Sequence, residues 1–285
     1  MKTFITIMMI FCFIRFSYGQ KINLDPSTLN ELENWFGAWN LVYKDVYNLE
    51  YSKPVDMVLF DQTYVYSTST ISGNNGMMML GPSPSGQQIN WFKKTHNGML
   101  TFPDGSTKKI GIMAFARQNE SGAPFFVMPL TSYWYQNNVD DHGLGLDTLV
   151  LCVFLHEFTH TQQMQNISEI ENHMEAYATS HPDVGLSDDL MQDYYQDDSL
   201  YLKKYLKEVD LFKRATQANR RNEQIRLTAA GLKMLSERHK KCLEVDHREL
   251  AVIDNFYLTF EGIGQYTAFA WLAHPNGGGL STEKA

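Results

Sequence analysis

Near the middle of the chain, Leu149-Val-Leu-Cys-Val-Phe-Leu-His-Glu-Phe-Thr-His160 is too apolar to lie on a surface, yet three of its last five residues are ionisable. The stretch contains neither Pro nor Gly. It reads as one buried helix over Leu149–Gln165, with Asp147 as N-cap and Gly145 just outside. An unpaired His-Glu-His set inside such a helix would carry a heavy desolvation penalty. These side chains therefore need a partner in common.

The chain changes character near residue 140. Before it, Val55–Ser67, Lys109–Arg117 and Pro124–Tyr135 read as strands, being rich in Val, Ile, Phe, Tyr and Thr. Gly73-Asn-Asn-Gly76, Pro82–Gly86 and Pro103-Asp-Gly105 are turn signals between such runs. An amphipathic segment, Thr28–Val46, opens this half as a helix that starts from Asp25-Pro26. After residue 140 the pattern is helical: Ile167–Thr179, a short helix capped by Ser187-Asp-Asp189, Leu200–Thr216, Arg220–Cys242 and Arg248–His274. The last of these has a possible kink near Gly262 or Gly264. The charge pairs of Leu200–Thr216 and Arg220–Cys242 mark helices with exposed faces.

The fold class expected is α+β, with a small N-terminal sheet followed by a mostly helical half. The chain would then divide into a β-rich lobe over about 20–140, a helical lobe over about 141–274 and a flexible tail over 275–285. The buried helix would lie between the lobes, beside a cleft.

Met1–Gly19 has the marks of a cleaved signal peptide. Lys2 is a basic start, Phe4–Ile14 an apolar run too short to span a bilayer comfortably, and Ser17 and Gly19 are small residues at the cleavage positions. Export, to a periplasm or out of the cell, is the expectation, with no integral membrane segment afterwards. Removing Lys2 and Arg15 leaves 22 basic against 32 acidic residues, a net charge of −10 that argues against nucleic acid as a partner. Cys152 and Cys242 form one disulfide or remain two thiols; two cysteines are not a framework. The Asn119-Glu-Ser and Asn166-Ile-Ser sequons bear only on a source that glycosylates its exported proteins.

Two histidines four apart on a helix project from one face, within reach of a single Zn²⁺ at about 2.0–2.1 Å. Glu157, one residue after the first of them, points along the cleft, where it can take a proton from water and return it to a leaving amine. A catalytic site needs a third protein ligand and one open position. Glu261, in Thr259-Phe-Glu-Gly-Ile-Gly-Gln-Tyr266, is a carboxylate in a largely apolar helix and is the first choice. Its bland alternative is an ion pair with Arg220 or Arg221. Glu175, with Glu171 behind it on the helix after the motif, is the other source of a ligand.

HEFTH followed by a distant FEGIGQY resembles the gluzincin metallopeptidases, zincin-like enzymes in which two motif histidines and a later glutamate hold zinc. The resemblance covers Leu149–Gln165 and Asn255–Trp271. It implies His156, His160 and Glu261 as ligands of one zinc ion, Glu157 as general base, and a sheet edge strand that binds substrate backbone. Gln162, where an apolar residue is usual, and the roughly 100 residues between His160 and Glu261 depart from the pattern.

An oxyanion would want a donor near the metal, and Tyr257, Tyr266, His173, Tyr177 and His247 are the candidates. Met77–Met79 is expected to fill core or a groove wall. GxSxG and phosphate-loop patterns are lacking. The expectation is a monomeric, exported zinc peptidase acting on peptides or proteins. The alternatives are a metal-holding binding or scaffold protein without catalysis, and a structural protein in which HEFTH is coincidental.

Overall fold

A computed structural model describes residues 23–141, 143–164, 167–182, 190–243, 248–282 and 284–285. The segment Met1–Gly19, the Ser187–Asp189 cap and His247 fall outside the described residues, as does the side chain of Glu171. The class is mixed α+β, built on a six-stranded sheet in the order β3-β4-β2-β1-β8-β7. Its strands are β1 (Asp56–Phe60), β2 (Tyr64–Ser67), β3 (Met77–Pro82), β4 (Gln88–Thr95), β7 (Phe115–Gln118) and β8 (Pro124–Pro129). A separate two-stranded ribbon pairs β5 (Met99–Thr101) with β6 (Thr107–Lys109). Among the described strands, only β1 and β8 run parallel to each other, both inside the sheet.

That central pair explains the two most hydrophobic strand sequences. Met57 and Leu59 of β1 and Phe126 and Met128 of β8 face one core, whereas Val58, Phe60, Phe125 and Val127 face another. A strand covered on both faces has no polar side, so DMVLF and PFFVMP run as apolar blocks. The first core is closed by α1 (Pro26–Leu41) and α3 (Leu146–Gln163), where Trp35 stacks on Phe154 and Trp39 meets Phe158 edge-on. This core therefore takes in α3 together with α1 and the sheet.

Several local expectations are redrawn. Val55–Ser67 is a hairpin, because the Asp61 carboxylate accepts the N–H groups of Thr63 and Tyr64 and turns the chain. The Lys109–Arg117 run breaks between β6 and β7, and Pro124–Tyr135 passes from β8 into α2 (Thr131–Gln136). Gly145, not Asp147, is the N-cap of α3. Met79 is buried as expected, but Met77 and Met78 are each 58% exposed on the edge strand β3. Both Cys152 and Cys242 are free.

The remaining helices are α4 (Ile167–Ser180), α5 (Leu190–Tyr195), α6 (Ser199–Gln217), α7 (Arg221–Arg238) and α8 (Arg248–Ala273). The helix α8 runs unbroken through Gly262 and Gly264. Its first half packs Leu250, Ala251 and Ile253 into a core with Tyr177, Leu190, Tyr201 and Leu243, while Ala268 and Leu272 in its second half pack on Cys152 of α3. One helix thus joins the two lobes. Among the described residues, no helix is long and apolar enough to cross a membrane.

The N-terminal half of α8 is fixed by a buried ionic cluster. Arg238 donates to both carboxylate oxygens of Glu208, at 2.9 and 3.0 Å, and to the Tyr201 hydroxyl at 2.8 Å. It also pairs with Asp254 of α8 at 3.0 Å, and His239 lies 2.7 Å from the same carboxylate oxygen. Both helices do carry exposed charge pairs, Arg214–Asp210 and Arg226–Glu223, but Glu208 and Arg238 are only 2% and 0% exposed. Arg238→Met leaves two buried carboxylates short of their cation. It is expected to lower stability by about 3–5 kcal/mol, read from urea unfolding followed by circular dichroism.

Candidate metal centre

Helices α3 and α8 lie antiparallel, and three contacts set their register. Gly264 sits against the His156 ring, where a Cβ would come within 2.9 Å of Nδ1. Phe260 stacks on His160 with ring centres 4.0 Å apart and planes 5° from parallel. Thr159 and Thr267 bring their hydroxyls to 2.9 Å, and the Tyr47 hydroxyl adds a third at 2.6 Å from that of Thr267. These α8 residues, at 260, 264 and 267, recur every three or four positions, so they form a single face.

That register brings Glu261 to the histidines. Its Oε2 lies 3.0 Å from His156 Nε2 and 3.6 Å from His160 Nε2, and the two Nε2 atoms are 3.1 Å apart. Ligands about 2.0–2.1 Å from a tetrahedral cation stand about 3.3 Å from one another, so a triangle of this size fits one ion. The three residues can hold a metal ion; nothing in the triangle itself identifies which. His160 Nδ1 lies 3.1 Å from Gln163 Oε1, and the Gln163 amide donates to the Thr259 carbonyl at 3.4 Å. Gln163 thus orients the imidazole from its far side, as outer partners of metal-bound histidines do. Burial works against charge on Glu261, but hydrogen bonds and charge from His156 and His160 prevail, holding its carboxyl down at about 2.

No protein-family model, curated protein or solved structure matches the chain.

The triad opens onto a cleft of about 870 Å³. Glu157 lines it beside His156 and His160, and Ala114, Phe115 and Ala116 bring the edge strand β7 to its rim. Glu175 lies exposed on α4 and outside the triad. Arg220 and Arg221 are exposed at the start of α7, and the groups that stand against Glu261 are His156 and His160 instead. Of the proposed donors, Tyr257 lines the cleft, one turn before Glu261. Tyr266 is 48% exposed and leans on Tyr47, Tyr177 is buried against His181, and His173 is exposed. Cys152 also lines the cleft, with burial pushing its thiol up to about 11.

Gly264, Phe260 and Gln163 are functional neighbours that pattern reading passes over. Gln163 had a signal, standing three residues after His160 on the same helix face. Phe260 and Gly264 had none, since their partners lie roughly 100 residues away. Gln163→Met frees the His160 ring and is expected to weaken metal binding 10–100-fold, and Gly264→Val, which displaces the His156 ring, is expected to weaken it at least as much. Competition titration against a chromogenic chelator measures both, with circular dichroism unchanged.

Proposed function

We propose that this chain is an exported, monomeric zinc peptidase of the zincin-like, gluzincin type, in which His156, His160 and Glu261 hold one zinc ion and Glu157 is the general base. The observation that carries the reading is the convergence of two motif imidazoles and a remote carboxylate at tetrahedral spacing, in a cleft that Glu157 also lines. A merely structural site would be closed by four protein ligands, whereas the described residues bring three together and leave the cleft side open.

When bound, zinc would act as a Lewis acid, lowering the pKa of a coordinated water to about 7 and drawing charge from the scissile carbonyl. The chain's own residues do the rest. The Glu157 carboxylate takes the proton of the attacking water and delivers it to the leaving amide nitrogen. Among the described strands β7 pairs with β8 alone, so its outer edge can offer backbone groups to an extended peptide lying along the cleft rim. The Tyr257 hydroxyl donates to the oxygen on which negative charge develops.

Purified protein is expected to contain one zinc per chain by elemental analysis and to cleave members of a peptide library. Glu157→Gln should keep the metal and lose at least a hundredfold in kcat; undiminished turnover would remove Glu157 from its role. Intact metal content with no cleavage by the native chain would favour the binding-protein reading. Absence of stoichiometric metal would end both. Tyr257→Phe is expected to lower kcat by about 10²–10³ with KM little changed, as loss of a donor used only in the transition state requires.

A further inference from the structure

Beyond α8 the chain turns back instead of leaving the protein. Gly278 donates to the Trp271 carbonyl at 2.9 Å and Leu280 to the Leu272 carbonyl at 2.8 Å. Three successive glycines make so tight a return possible. A Cβ on Gly278 would lie 2.8 Å from the Leu272 backbone, and Gly279 has φ of +63°, a left-handed conformation. The segment read from sequence as a flexible tail thus lies against α8, and its Leu280 and Ala285 pack on the cluster formed by Cys152, Ala268 and Leu272.

That cluster belongs to the cleft. Cys152 stands one turn before His156 on α3, and Ala268 and Leu272 stand one and two turns after Gly264 on the antiparallel α8. The three therefore extend the metal site in one direction. Ala285 lines the same cleft as the metal triad. The side chains of Cys152, Ala268 and Leu272 make this end of the cleft largely apolar. The cleft keeps about 870 Å³ with the segment in place, so the segment bounds the space without filling it.

We propose that the returning segment, residues 274–282 together with Ala285, is the end wall of the cleft, and that, on the peptidase reading above, it sets the largest apolar side chain accepted beside His156. Two substitutions outside the cleft residues test this. Gly278→Val forces the segment off the α8 backbone, and Leu280→Asp removes its apolar anchor while leaving the glycine turn intact.

Cys152 reports on the wall without any need for catalysis. Its modification by methyl and benzyl methanethiosulfonate is followed by peptide mass spectrometry, with Cys242 as internal reference. In both variants the benzyl reagent is expected to react with Cys152 at least tenfold faster than in the native chain, with Cys242 unchanged. Peptides differing only in one Ala, Leu, Phe or Trp should shift toward the bulkier residue at the cleavage site. Unchanged Cys152 reactivity in both variants overturns the proposal. Faster modification with cleavage but unaltered preference overturns the specificity role. Faster modification with no peptide cut by any of the three chains supports the wall and refutes the peptidase reading instead.

Discussion

Everything at the centre of this molecule depends on the angular and axial register of α8 against α3. Glu261 reaches the histidines only because Gly264 lets α8 approach the His156 ring closely and Phe260 lies flat on His160. Moving α8 by one residue would rotate its side chains by about 100° and turn the carboxylate away. Aromatic stacking, a missing Cβ and a chain of three hydroxyls each constrain that register by different physics. None of them is ionic, although two of the three contacts are made by the His156 and His160 rings themselves.

The local part of the site was legible. Two histidines one turn apart in an apolar helix need no tertiary information to be placed on one face, because helix geometry puts them there. Choosing Glu261 over Glu175 rested on a cost: a carboxylate among Phe, Ile and Gly is expensive to leave unpartnered, whereas Glu175 stands in a helix with an evident polar side. Glu175 is exposed, whereas Glu261 is partly buried against two imidazoles. Tyr257 could not be separated from Tyr177 by such reasoning. Both are tyrosines on helices, and only the packing of α8 decides which faces the cleft.

Helices were more legible than strands, for a physical reason. The boundaries of α3, α4, α6 and α8 fall close to where apolar periodicity and caps put them. The sheet was only half visible. Strands β1 and β8 announce themselves because both faces are buried, but β3 and β4 carry Gly, Pro, Lys and Asn and were passed over. Their pairing is supplied by neighbours and by the turn between them, which local composition does not record. The Arg238 cluster was hidden in the opposite way. A Glu on α6 and an Arg on α7 look like ordinary solvated charges, and only the third helix that closes over them makes them interior.

The attachment of α8 at both ends bears on how the protein would meet an ion. Its first half is tied to α6 and α7 by Arg238 and Asp254, and its second half to α3 and the sheet lobe through Thr267 and Leu272. A ligand carried on a strut braced in this way is in position before any cation arrives. Little folding free energy is then left for coordination to supply, unlike small domains that order only around their metal. On the reading proposed above, loading and unloading would then be local events, and a chain emptied where metal is scarce would keep its shape.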